Sequence, residues 1–327
     1  LSQSPPPILR EYPSWLAQAQ WVPLGSAGGF SGSELWRGTC LDGREFALKG
    51  HAAGFSTMHL ERVHRWMDAA RLGGMDFIPR VEPTRWGKSV AVGSDRSWDM
   101  LQWMPGRADF HEDPSDAKLV AAVEAIARIH RCWAGLGIRE VPCPAVERRW
   151  RVMIAWDELV RSGWQPRYVG DDPIATPADT ARRILPTVLP RLRLELSPWL
   201  TRPVTVQPCL VDVWHDHVLF LGERVSGIID YAAAKFDHVA TDLARLLGSL
   251  VPDQPSRQAA ALEAYAAIRP LPNPELVSLL DRTGVAAAVV NWIKSIYYDG
   301  RALADRMAVA KRLAGLIERL RAQMGNA

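Results

Sequence analysis

The sequence predicts an α+β chain in two lobes, a small β-rich lobe followed by a larger, mostly helical one. Three observations carry that expectation. Between Trp21 and Trp103, short β-prone runs alternate with turn residues around a single helical stretch. Met104-Pro105-Gly106 then breaks the pattern. From Asp113 onward, apolar residues recur at helical spacing, with short β-rich runs only in the middle. The lobes read as 20–103 and 104–327, after an extension over 1–19. A length of 327 residues agrees with two units at about 150 residues per domain.

Taken in order, Trp21 to Leu24 reads as a strand. The segment Gly25-Ser26-Ala27-Gly28-Gly29-Phe30-Ser31-Gly32 follows, with four glycines in eight residues, which marks a loop that bends sharply or lets something approach its backbone. Glu34 to Arg37 and Glu45 to Lys49 are strands joined by Leu41-Asp42-Gly43, a hairpin signature. Met58 to Leu72 is a helix with Leu60, Val63 and Met67 on one face, ending at Gly73-Gly74. Ser89 to Val92 and Trp98 to Trp103 complete the first lobe. In the second, Asp113-Pro114-Ser115 opens a helix to about Cys132, and Glu147 to Val160 is another. Thr180 to Leu196 is expected to be broken by Pro186 and Pro190. Strands are expected at Val204–Val211, Val218–Leu221 and Val225–Ile229, then helices at 240–250, 257–268, 275–281, 285–297 and 303–323.

Composition narrows the functional classes. A net charge of +3 is too small to argue for nucleic acid. The apolar run Val285–Val290 is far shorter than the roughly 20 residues of a membrane helix, so no membrane partner is expected. The amino terminus has neither the basic segment nor the apolar core of a signal peptide. Cys40, Cys132, Cys143 and Cys209 form no Cys-x-x-Cys pair, which suits reduced thiols in a cytoplasmic protein. Gly87-Lys88-Ser89 imitates the end of a phosphate-binding loop, but Glu82 stands where its first glycine belongs and an extended run follows.

The strongest motif is Leu210-Val211-Asp212-Val213-Trp214-His215-Asp216-His217-Val218-Leu219-Phe220, followed by Gly227-Ile228-Ile229-Asp230-Tyr231. Asp212 follows one apolar strand, His217 precedes a second and Asp230 ends a third, so a hairpin brings polar groups to one rim. This resembles the aminoglycoside phosphotransferase and choline kinase family, whose fold is protein-kinase-like and whose pattern is His-Gly-Asp-x-His-x-x-Asn, an apolar triplet, then Ile-Asp-Phe. The resemblance puts Asp212 on the catalytic aspartate and Asp230 on a metal-binding aspartate. Asp242-Leu243-Ala244-Arg245 matches the end of a family segment whose aspartate braces the catalytic loop.

The resemblance further implies ATP bound in the first lobe. Gly28, Gly29 and Gly32 would cover its phosphates, and Lys49, oriented by Glu61, would hold them. The adenine would meet the backbone at Gln102, Trp103 and Met104. Mg²⁺, or Mn²⁺, would sit on Asp230 and His217. There are departures: Leu210 and Val211 replace the leading His and Gly, Trp214 the second His, and His217 the metal-binding Asn. An imidazole suits softer ions better than Mg²⁺. The implied activity is phosphoryl transfer to a hydroxyl of a small molecule. Two alternatives stay open: a pseudokinase that binds nucleotide without turnover, and a metal-dependent hydrolase using Asp212, His215 and His217. Nine arginines against five acids between Arg148 and Arg193 point to a neutral or anionic acceptor rather than a polycationic aminoglycoside. Nothing in the sequence sets the oligomeric state.

Overall fold

The structure is a computed structural model that describes residues 5–25, 32–93, 95–303 and 305–325. A 3-10 turn at Pro7–Glu11 and the short helix α1 (Ser14–Ala17) lead into β1 (Gln20–Gly25), β2 (Glu34–Thr39) and β3 (Glu45–Gly50). Next come α2 (Thr57–Leu72), β4 (Ala91–Gly93), β5 (Arg96–Gln102) and α3 (Asp116–Ala134). The chain continues through β6 (Arg139–Pro142), α4 (Pro144–Arg161), α5 (Ala175–Leu196) and β7 (Pro203–Cys209). A 3-10 turn at His215–His217 opens the hairpin β8 (Val218–Leu221) and β9 (Arg224–Ile228). After β10 (Lys235–Asp237) the rest is helical: α6 (Ala240–Leu250), α7 (Pro255–Ala266), α8 (Pro274–Tyr297) and α9 (Arg306–Gly325).

The chain divides into two units. The first runs to Leu136 and takes back His215–Ala234; the second holds Gly137–Trp214 and the chain from Lys235. The division differs from the break read at Met104. Gly106 carries φ +101°, and a Cβ there would stand 2.3 Å from Ser226 Oγ and 2.5 Å from the Phe220 carbonyl oxygen. Gly227 in turn has no room for a Cβ against Met104, at 2.7 Å. These two glycines let the segment after β5 lie directly on the β8–β9 hairpin, joined by the Arg107–Phe220 bridge. Sequence spacing alone does not reveal that contact.

In the first unit the antiparallel sheet has the order β1-β2-β3-β5-β4. Phe46 and Leu48 alternate inward on β3 and pack with Tyr12, Leu16, Trp36, Trp98 and Met100. Helix α2 is capped by Ser56, whose Oγ accepts from the His59 amide at 3.2 Å. It buries Leu60, Val63, Trp66 and Met67, and the Trp66 carbonyl accepts from Trp133 Nε1 on α3 at 2.8 Å.

In the second unit β10-β7-β6 form a small antiparallel sheet, and α8 is the central helix against α4, α5, α6 and α9. The expected break in α5 does not occur. Pro186 and Pro190 lie four residues apart on its exposed stripe, where water can reach the carbonyls they leave unpaired, while Leu185, Val188, Leu189 and Leu192 are buried. The two helices expected on either side of Gly284 are one 24-residue helix. By length and mean hydropathy (1.3) α8 could cross a membrane, but 61% of that stretch is buried inside the protein, which makes it a core helix here.

Candidate active site

Three of the expected residues meet in the first unit. Lys49 lies on β3, between the inward-facing Leu48 and the strand end at Gly50. Its Nζ donates to Asp230 Oδ1 at 2.8 Å. Asp230 follows β9 in a left-handed conformation, φ +62°, and the neighbouring Ile229 amide donates to the His217 carbonyl at 2.9 Å. His217 Nε2 stands 4.0 Å from Asp230 Oδ2. Burial pushes the Asp230 carboxyl up, but Lys49 and His217 outweigh it and hold the group below the ordinary carboxylate range.

Glu61 is half-buried on α2, and among the described residues no ion pair or hydrogen bond joins it to Lys49. The lysine's partner comes from a position 181 residues away instead. Beside it lies a buried group that sequence reasoning missed. Asp99 pairs with Lys49 in the β3–β5 register and is 4% exposed. It meets His51 Nε2 at 3.1 Å through one oxygen and His64 Nε2 at 3.0 Å through the other. Burial raises the Asp99 carboxyl, yet the two histidines hold it well below the usual range. The available signal was an acid inside the apolar run Trp98-Asp99-Met100, which is costly to bury without partners.

At the end of β5, the Gln102 and Trp103 amides are taken by the Arg80 and Glu45 carbonyls, at 2.8 and 3.0 Å. Arg37 stacks over the Trp103 ring at 4.6 Å, and Met104 is buried against Gly227. Of the glycine segment, Gly32 carries φ +71°, while Gly28 and Gly29 lie outside the described residues.

Asp212 belongs to the second unit. It stands in the loop after β7 with its side chain half exposed, and Oδ1 accepts from Arg245 Nε at 3.1 Å. The loop is gripped from below by Asp242 at the start of α6. This fully buried carboxylate accepts from the Leu210 amide at 2.8 Å and the Val211 amide at 2.6 Å. Val211 is thereby held at φ +69°, a conformation that favours glycine. Asp237, also fully buried, accepts from the Ala145 amide at the start of α4 and pairs with Arg148. Of the nine arginines counted in the sequence, Arg148 and Arg149 line a cavity in this unit. Others are spent on ion pairs: Arg151 with Glu147, Arg182 and Arg183 with Asp179, Arg191 with Glu195, and Arg193 with Asp157.

Asp230 offers one carboxylate to a divalent cation, a donor that fits Mg²⁺ when phosphate oxygens and water complete its shell. His217 offers an imidazole, which Mg²⁺ accepts poorly and which suits a softer ion or donation to a phosphate oxygen. His215 packs edge-on against the His111 ring at 4.4 Å and lies 3.4 Å from Asp216, an arrangement that gives the hydrolase alternative no support.

Residues 25–280 match a family model described as the phosphotransferase enzyme family. The chain is 30% identical over 235 residues to a homoserine kinase of Xanthobacter autotrophicus, covering 68% of this chain and 67% of that one. It is 28% identical over 179 residues to a homoserine kinase of Bradyrhizobium diazoefficiens, covering 51% and 47%, so this match spans about half the length of the relative. Among solved structures, an amicoumacin kinase in complex with AMP-PNP, Ca²⁺ and Ami superimposes with a TM-score of 0.64 at 12% identity, covering 95% of this chain and 90% of that one, a likeness of fold.

Proposed function

We propose that this chain, which belongs to the phosphotransferase enzyme family, transfers the γ-phosphoryl group of ATP to a hydroxyl of a small molecule. The observation that carries the reading is the 2.8 Å pair between Lys49 and Asp230. The motif pattern assigns these two residues to the nucleotide phosphates and to the metal, and they meet across 181 residues of chain.

In this reading the first unit takes the nucleotide. Lys49 neutralises the phosphates that stay behind, the glycine segment ending at Gly32 covers them, and the backbone at Gln102–Met104 takes the adenine edge. Asp230 would hold a divalent cation, which would supply charge neutralisation on the phosphates, and the AMP-PNP and Ca²⁺ of the amicoumacin kinase support that pairing of ligands. Mg²⁺ is the ion that the oxygen donor of Asp230 suits. His217 donates to a phosphate oxygen. Asp212 orients the acceptor hydroxyl and takes its proton while the hydroxyl oxygen bonds to the γ-phosphorus and the bond to the β–γ bridging oxygen breaks, releasing ADP. Asp242 and Arg245 hold Asp212 in place. Neutral and anionic acceptors fit the charge of the second unit better than polycations, and the homoserine kinase relatives put a short hydroxy amino acid first in the panel. Four free thiols, three of them buried, agree with a cytoplasmic setting.

The test is ADP release with Mg²⁺ and then Mn²⁺, over homoserine, sugars, choline and aminoglycosides, for the native chain and Asp212→Ala. Acceptor-dependent ADP release that Asp212→Ala abolishes is expected. Bound nucleotide without Asp212-dependent turnover would leave the pseudokinase, and conversion of an acceptor without ATP would leave the hydrolase.

A further inference from the structure

We infer that the arginine-lined cavity of the second unit is the acceptor's anion subsite, and that the acceptor carries a carboxylate held by Arg149; this rests on the phosphotransferase reading above. The cavity is about 400 Å³, the size of a small-molecule site. Five of its lining residues are arginines (Arg148, Arg149, Arg245, Arg312 and Arg319), against one acid, Asp281. It also adjoins the expected base. Val211 lines it and precedes Asp212, and Arg245 lines it and donates to Asp212 at 3.1 Å.

The arginines are not equivalent. Arg148 is paired with Asp237, and Arg245 with Asp212. Arg319 binds both oxygens of Asp281, at 3.0 and 2.9 Å. Arg312 stacks on Trp214 at 4.5 Å. Arg149 has no carboxylate within ion-pair distance among the described residues. Its Nη1 donates to the Ala145 carbonyl at 3.3 Å, and its Nε is buried without a hydrogen-bond partner. Burial pushes this guanidinium down to about 10, still cationic at neutral pH. Asp237 and Asp281 favour its charge only through space, so among the described residues this half-buried guanidinium lacks a carboxylate in direct contact, and a ligand carboxylate supplies one.

The unpartnered edge also fits that group. Nε and Nη2 form the fork that binds a carboxylate through two parallel hydrogen bonds, and Nη1 is the nitrogen already engaged. A Cβ at Gly284 on α8 would stand 3.4 Å from Nη2 and 3.7 Å from Nε, contact distances, so the glycine leaves room beside an edge whose Nε is itself shielded from solvent. The same room accounts for a glycine in the middle of a 24-residue helix, where glycine is otherwise unfavourable.

The experiment is calorimetric titration of the intact chain with 4-hydroxybutyrate, its uncharged amide and L-homoserine, with AMP-PNP binding measured on the same samples. The two acids are expected to bind at least tenfold tighter than the amide. Arg149→Gln should weaken acid binding at least tenfold and leave amide binding unchanged, and Arg149→Lys should restore part of the loss. Gly284→Leu, a favourable helix substitution that covers the fork, should weaken the acids similarly if Arg149→Gln does not fold. Equal binding of acid and amide by the native chain overturns the proposal, as does an Arg149→Gln effect equal on both, or binding of none of the three. AMP-PNP binding separates the two readings. If nucleotide binds and no acid does, the anion subsite fails alone; if an acid binds and nucleotide does not, the phosphotransferase reading fails alone.

Discussion

Val211 offers a test of whether the loop carrying Asp212 is held under strain. The residue is β-branched at φ +69°, kept there by the bond from its amide to Asp242, so it carries a left-handed cost of about 1–2 kcal/mol. Its side chain is half-buried at the cavity wall. Val211→Ala keeps the backbone strain and removes two half-buried carbons, a loss of about 0.8 kcal/mol. Val211→Gly removes three, about 1.2 kcal/mol, and adds about 0.4–1 kcal/mol of unfolded-chain entropy, but releases the strain. The glycine variant should therefore lie between about 0.4 kcal/mol more stable and 1.2 kcal/mol less stable than the native chain. That range spans the alanine value, whereas at an ordinary position glycine trails alanine by about 1 kcal/mol or more. The assay is thermal and urea denaturation of the three chains side by side. If alanine exceeds glycine by about 1 kcal/mol, roughly 2–4 °C in Tm, the strain argument is refuted.

Other outcomes follow from the same geometry. Lys49→Met should keep the fold and lower nucleotide-dependent kcat/KM at least about a hundredfold, by analogy with the loss of one preorganised charge contact; a value within twofold of native would remove Lys49 from the phosphate site. Asp242→Asn turns an acceptor of two buried amides into a group with one acceptor and one donor, so a loss of about 1–3 kcal/mol in urea denaturation is expected, with a lower kcat from the displaced Asp212. Because the folded chain holds Asp99 and Asp230 below the unfolded carboxyl value of about 4, their stabilisation is complete above that value and is lost as pH falls. The Tm should stay level from about pH 7 to 5 and drop between about 5 and 3, with a shallower drop in Asp99→Asn; a native chain with a flat profile there would contradict the ion-pair assignment. His217→Asn supplies an oxygen ligand and keeps an N–H donor for the phosphate, so it should keep or raise Mg²⁺-dependent turnover; a more than tenfold loss would show that the imidazole does more than an amide at that position can.

The parts of the site legible in the sequence were those written locally. Strand alternation placed Lys49 after Phe46-Ala47-Leu48, and the paired apolar runs placed Asp212, His217 and Asp230 at strand ends. What escaped depends on distant chain segments. The resemblance implies Glu61 as the partner of Lys49, but electrostatic partnership follows distance in space, and Asp230 is the carboxylate at 2.8 Å. The Asp99 cluster draws on the residue after β3, the middle of α2 and the middle of β5, three segments with no shared period. Strands β6 and β10 are four and three residues long, too short for alternation to register, and exist because β7 pairs with both. The arginine count gave the sign of the field but not its position, since the helix faces decide which guanidinium groups reach the cavity.

The return of His215–Ala234 to the first unit has a consequence during synthesis. When Leu136 leaves the ribosome, the hollow of Gly106 still lacks Phe220 and Ser226, and Lys49 lacks Asp230. At about 5–20 residues per second, the missing hairpin emerges some 5–20 seconds later. Until then the Met104 face is apolar surface that a trigger-type holdase can occupy, and a ribosome stalled between Leu136 and Ala234 displays a first unit still without its closing hairpin. The first unit is thus completed only after much of the second has already been made.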